Sequence, residues 1–203
     1  MPTVDHDDRS EADRGDARYW AEARTLDDLG ELMARWLEGS IHYQPAWEGA
    51  RPAPETESLV PALAALNRGG FVTHFSQPGM SVPAGDGRQR AAVSGFGSEA
   101  VVHVIGRATL DSDLVALIYP PGGRLDGLQI PISVQGDLVG IWAGAEMGPD
   151  AIEEFYGPDC HPEAVAALRG AWQATVIDPH WARNDLLWDR LQEALAGRAP
   201  SPA

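Results

Sequence analysis

The chain has 203 residues, 44% of them hydrophobic, which is enough apolar material for one sizeable core and too little for two independent ones. Thirty Asp and Glu face fifteen basic residues, all Arg, for a formal net charge of -15, and no local basic cluster reverses that field; neither nucleic acid nor a membrane surface is an expected partner. No apolar run is long enough to span a bilayer, the start of the chain is acidic where a signal peptide is basic then apolar, and a lone Cys160 cannot form an internal disulfide, so a cytoplasmic location is expected.

Residues 1–18 mix Asp, Glu and Arg with almost nothing apolar and read as a disordered acidic arm, as 199–203 read as a disordered tail; a single globular domain is expected over 19–198. The first helix begins at Thr25, whose hydroxyl pairs with Asp28 as a cap, and Leu26, Leu29, Leu32, Met33, Trp36 and Leu37 fall on one face before Gly39. The connector from Ser40 to Pro54 has no period, and Tyr43 and Trp47 are its expected anchors. A second helix over about 55–67 accommodates Pro61 only if it is kinked or its first turn starts late. Gly69 and Gly70 close it, and Phe71 onward reads as a strand ending at Ser76-Gln77-Pro78-Gly79.

QRAAVSGF is a second strand, whereas SEAVVHVI is ambiguous, because its valines favour a strand and Ser98-Glu99 a helix start. Leu114 to Tyr119 suits a strand covered on both faces. LQIPISV and LVGIWAG flank Gly136-Asp137 as a hairpin, with Pro131 at an edge or bulge. Pro149 and Pro162 each open a helix, ATVID is a further strand, and Asn184 is the expected cap of a last helix presenting Leu187, Trp188, Leu191 and Leu195. The interleaving predicts an α/β or α+β domain with a mixed β-sheet core and flanking helices.

Familiar catalytic constellations are missing from the sequence. No phosphate loop, dinucleotide fingerprint or nucleophile elbow is present. Asp159, Cys160 and His161, with His180 as a conceivable fourth ligand, are better explained as the lead-in to a helix than as a metal site, and no metal is expected. Trp36, Trp172 and Trp188 read as core packing on helical faces, while Trp20, Trp47 and Trp181 sit beside polar connectors and are freer to touch a partner.

The stretch PETESLVPALAALNRGGFVTHFSQP, from Pro54 to Pro78, resembles the C-terminal regulatory domain of eukaryotic methylenetetrahydrofolate reductase. In that family an acidic residue opens a helix that ends near Asn-Arg-x-Gly, followed by a strand reading Leu-Thr-Ile-Asn-Ser-Gln-Pro. QRAAVSGF with SEAVVHVI, and ATVIDP, agree with further family segments in order, which turns the Ser98 segment toward helix; the family's catalytic barrel has no counterpart here. WLEG, SQPG and a DP-aromatic landmark also resemble a family of actinobacterial proteins to which no activity attaches.

The resemblance implies a stand-alone domain of regulatory-domain-like fold that binds S-adenosylmethionine or S-adenosylhomocysteine as a sensor or as the regulatory subunit of a partner protein. It assigns ligand contacts to Glu55, Thr73, Ser76 and Thr175. Thr73 and Ser76 are an odd number of residues apart, so both reach one ligand only if the strand bends or bulges near Phe75-Ser76. A further family threonine falls on Gly140, and the extra helix of HPEAVAALRGAW could cover or fill the pocket. Two other readings stay open: a small enzyme that consumes S-adenosylmethionine, for example by methyl transfer with His74, Glu55 or Asp178 as acid or base, and a ligand-free interaction module that keeps the fold and uses its acidic surface and loop aromatics on another protein.

Overall fold

Thr25 sets the first long helix as its position predicts. Its hydroxyl accepts Asp28 N–H at 3.1 Å while the Asp28 carboxylate accepts Thr25 N–H at 3.0 Å, a reciprocal cap on the segment that buries Leu29, Leu32, Met33, Trp36 and Leu37. The computed structural model describes residues 11–47, 49–81, 87–123 and 128–196. The helices are α1 (Glu11–Glu22), α2 (Leu26–Leu37), a 3-10 segment (Pro54–Leu59), α3 (Val60–Arg68), α4 (Glu99–Thr109), α5 (Pro149–Tyr156), α6 (Pro162–Arg169) and α7 (Leu186–Ala196). The strands are β1 (Phe71–Gln77), β2 (Met80–Ser81), β3 (Gly87–Gln89), β4 (Ala92–Gly97), β5 (Val115–Tyr119), β6 (Ile130–Gln135), β7 (Leu138–Ala143) and β8 (Trp172–Ile177).

The strands form two four-stranded sheets, ordered β1-β4-β8-β5 and β2-β3-β6-β7, and every neighbouring pair is antiparallel. The class is therefore α+β, and the expected mixed sheet is corrected to two antiparallel ones. The reason lies in one crossover. Helix α4 carries the chain from β4 to β5, and since both strands oppose β8 they run parallel to each other, but β8 is inserted between them.

Alternation along the strands divides the core. Val93 and Val176 join the main cluster beneath the helices, whereas their neighbours Ala92 and Ile177 point the other way, to a smaller cluster with Ile132, Ala143, Phe75 and Ile130 that fastens the second sheet to the first. Strand β5 is an edge strand, half-buried along its length, where coverage on both faces was expected. Pro61 falls in the first turn of α3, because the preceding turn is 3-10; no N–H is missed there. Ser98 caps α4, so the ambiguous segment is helical. Gly136-Asp137 joins β6 to β7 with Gly136 at φ +57°, and the register shifts beside Pro131.

The acidic arm is partly structured. Residues 11–22 form α1 because Trp20, 0% exposed, drives that segment into the core and its indole N–H bonds Tyr43 O at 2.9 Å. The disorder expected for residues 1–10 and 199–203 lies outside the described residues. Among the described residues no helix is long and apolar enough to cross a membrane.

Candidate functional site

Strand β1 carries one residue more than its partner. Thr73 faces Gly95 and Phe75 faces Ser94, so His74 is a bulge, one residue earlier than the bend expected at Phe75-Ser76. Thr73, His74, Phe75, Ser76 and Gln77 then all border one cavity of about 320 Å³. Its other walls come from Met33, Trp36 and Leu37 of α2, from the connector between Gln44 and Ala53, and from Glu55 and Thr56 of the 3-10 turn. Gln89 and Ile141 reach it from the second sheet.

Asn67, at the end of α3 and 1% exposed, holds this wall in place. Its amide N–H donates to Leu63 O and to Thr73 Oγ1, both at 2.8 Å, and its carbonyl accepts Thr73 N–H at 2.9 Å. The Thr73 hydroxyl proton is left to donate elsewhere. The His74 ring packs against Phe96 at 5.2 Å, and burial pushes its pKa down to about 4, so the imidazole is neutral near pH 7. Glu55 is exposed at the rim.

Three buried hydrogen-bonding atoms on this cavity have no protein partner: Trp36 Nε1, Gln44 Oε1 and Gln89 Oε1. Trp36 and Gln44 are only 6% and 4% exposed, so bulk water does not serve their polar ends. Orphaned buried polar atoms are uncommon in folded proteins, and these three belong to residues that line one cavity.

The turn after β1 is built for docking. Gln77 Nε2 donates to Arg90 O at 3.1 Å and Ile132 O at 2.9 Å, tying β1 to β6 of the second sheet. Gly79 N–H donates to Asn184 Oδ1 at 2.8 Å, and a Cβ at Gly79 would lie 1.9 Å from Arg183 O. Asn184 is thereby used to hold the turn and Trp188 Nε1 and not to cap α7, while Leu186 N–H, at the start of α7, bonds the Asp185 carboxylate.

Thr175 is not brought to the cavity. It is 4% exposed on β8, its hydroxyl bonded to Ser94 Oγ at 2.8 Å, two strands and roughly 10 Å from β1. Gly140 does not border the cavity either, and α6 packs on α2 and α5 without covering it. Asp178, fully buried, accepts His180 N–H and pairs with Arg183, which also forks onto Asp113 and holds that carboxyl down to about 2. This network braces the loop after β8 and stands apart from the cavity.

The Asp159-Cys160-His161 triplet divides its labour. Asp159 accepts the Tyr43 hydroxyl, burial pushes the Cys160 thiol up to about 12, and His161 Nδ1 accepts Glu163 N–H at 3.2 Å to cap α6. Among the described residues no group of three or more His, Cys, Asp and Glu is arranged to hold a metal. Trp172 begins β8 and not a helix, Trp20 is core, and Trp181 lies under the Arg90 guanidinium at 4.0 Å.

Glu55, Thr73, His74 and Ser76, singled out in the sequence, line the cavity, whereas Trp36, Gln44 and Gln89 on the lining and Asn67 behind Thr73 were not singled out as site residues. The signal for Gln44 was its place in an aperiodic aromatic connector; Trp36 was masked by its helical spacing. A family model described as "Domain of unknown function (DUF6919)" matches residues 15–198, and the chain belongs to that family. No curated protein is significantly similar to it.

Proposed function

We propose that this DUF6919 domain is a sensor or regulatory domain that binds S-adenosylmethionine or S-adenosylhomocysteine in the cavity beside β1 and acts on a partner protein. The observation that carries the reading is the meeting of Glu55, Thr73 and Ser76 with the unpartnered Trp36 Nε1, Gln44 Oε1 and Gln89 Oε1 on one cavity. Each such atom left dry costs the fold about 1–3 kcal/mol, and a ligand that meets it returns that energy as affinity. The volume, about 320 Å³, is at the small end for metabolite sites, enough for the adenosine part with the remainder reaching out past exposed Glu55.

The adenosyl identity comes from the resemblance of the Pro54–Pro78 stretch, and the chemistry of the wall supports it. A carboxylate suits ribose hydroxyls or an amino-acid ammonium, and hydroxyls suit ring nitrogens or a ligand carboxylate. Thr175 has no part in the binding set proposed here. Calorimetry and thermal melting with each adenosyl compound test the reading: saturation at a hundred times Kd adds about 2.7 kcal/mol of stability, and Glu55→Ala weakens the response. Absence of both heat and thermal shift at millimolar ligand removes it.

A further inference from the structure

We propose that the cavity selects its ligand by charge, admitting an uncharged or cationic molecule read by Trp36, Gln44 and Gln89 and rejecting one that carries a phosphate. The inference rests on the cavity being a ligand site, but not on the ligand being an adenosyl compound.

Among the described residues lining the cavity there is neither Arg nor Lys, and the chain contains no lysine anywhere. Three nearby arginines are committed elsewhere, and Arg51, one residue before the lining Pro52, is exposed and not on the lining. Arg35 lies over the Tyr19 ring at 4.7 Å, Arg68 pairs with Glu31 and Glu38, and Arg90 donates to Pro131 O and Pro179 O while covering Trp181. Among the described residues the only ionisable side chains on the lining are Glu55 and His74, and the imidazole of His74 is held neutral by burial. On the described lining a phosphate would thus meet a carboxylate and no countercharge. A like charge held near 5 Å at an effective dielectric of about 20 weakens binding on the order of a hundredfold.

The unpartnered atoms define what the ligand must offer. Trp36 Nε1 can only donate, so the ligand presents an acceptor to it. The two glutamine amides can turn either a carbonyl or an NH2 toward the ligand, and as oriented they present acceptors, which call for ligand N–H or O–H groups. The aromatic and aliphatic walls, among them Trp47 and Phe75, suit a flat ring between those polar points.

The test is calorimetry on the full chain with adenosine, S-adenosylmethionine, S-adenosylhomocysteine and adenosine 5′-monophosphate, together with mass spectrometry of small molecules released from the purified protein. The expected result is that the monophosphate binds at least about thirtyfold more weakly than adenosine. Gln44→Leu and Gln89→Leu should each weaken binding about tenfold without lowering the ligand-free melting temperature, since an apolar replacement removes an unpaired buried group. A merely structural role for either amide would lower that temperature. Equal affinity for adenosine and its monophosphate overturns the charge selection and leaves the adenosyl reading standing. If no adenosyl probe binds but the released molecule is uncharged or cationic, the adenosyl reading falls and the charge selection stands. A released phosphorylated molecule overturns it, as does a chain that binds no probe and releases nothing.

Discussion

His74→Phe isolates one proton. The ring of His74 rests on Phe96 at 5.2 Å, so a phenyl group keeps that contact and removes only the titration. The folded protein holds the imidazole pKa at about 4, against about 6.5 in an unfolded chain, and desolvation is the cause. The unfolded chain therefore takes up a proton below about pH 6.5 that the folded chain refuses. The stability associated with the neutral ring is complete above that pH, declines as pH falls, and is lost by about pH 4. At pH 5 the loss comes to about 2 kcal/mol, and the full difference of some 2.5 pH units is roughly 3 kcal/mol. For a chain of this size 2 kcal/mol is roughly 4–8 °C in Tm. The assay is urea denaturation of parent and variant at pH 8 and pH 5, read as a double difference, in which the other five histidines and the carboxylates cancel. Parent and variant should be within about 1.5 kcal/mol at pH 8, and the parent should lose about 2 kcal/mol more on moving to pH 5. Identical pH slopes for the two would refute the claim that His74 is desolvated in the folded state.

Asn67→Ala deletes three hydrogen bonds at once and leaves the buried Thr73 N–H without an acceptor; a loss of about 3 kcal/mol, or roughly 6–12 °C in Tm, is expected, and thermal melting checks it. The same variant should weaken any ligand that binds through Thr73, whereas a surface change such as Glu57→Ala should do neither. Gly79→Ala drives a Cβ against Arg183 O and forces the turn away from Asn184, for a loss of about 1–3 kcal/mol in denaturant titration; an unchanged midpoint would show that the docking of this turn is looser than described.

What could be read from the chain alone followed from local rules acting without interference. The Thr25–Asp28 cap, the Gly136-Asp137 hairpin and the apolar face of α7 each depend on neighbours a few residues away, and each formed. Sheet topology depends on contacts far apart in sequence. Nothing near β4 or β5 says that β8, some sixty residues further on, will separate them. The acidic arm misled for the opposite reason: its composition is that of a disordered segment, and one buried residue, Trp20, outweighs it locally. At the candidate site, a bend in β1 was inferable from the need to bring Thr73 and Ser76 to one place, though it falls at His74 and not at Phe75-Ser76, and the unpartnered buried atoms were not foreseen. Trp36 is an ordinary core residue by its spacing, and only three dimensions show its indole N–H without a partner.

Among the described residues strand β7 ends the second sheet with one side of its backbone unpaired, and Leu138, Val139, Ile141 and Trp142 on it are between 39% and 76% exposed. Not one residue of Leu138–Ala143 is charged, so the edge lacks the lysines, prolines and inward charges by which such strands discourage pairing with a second chain. The formal net charge of -15 opposes such pairing near neutral pH. That protection is colloidal and titrates away: near the isoelectric point, about pH 4.6, repulsion between copies vanishes while the edge stays as adhesive as before. The protein's solubility minimum is therefore set by two features, an acidic composition and an unguarded strand, and acidic buffers are where handling it should be hardest.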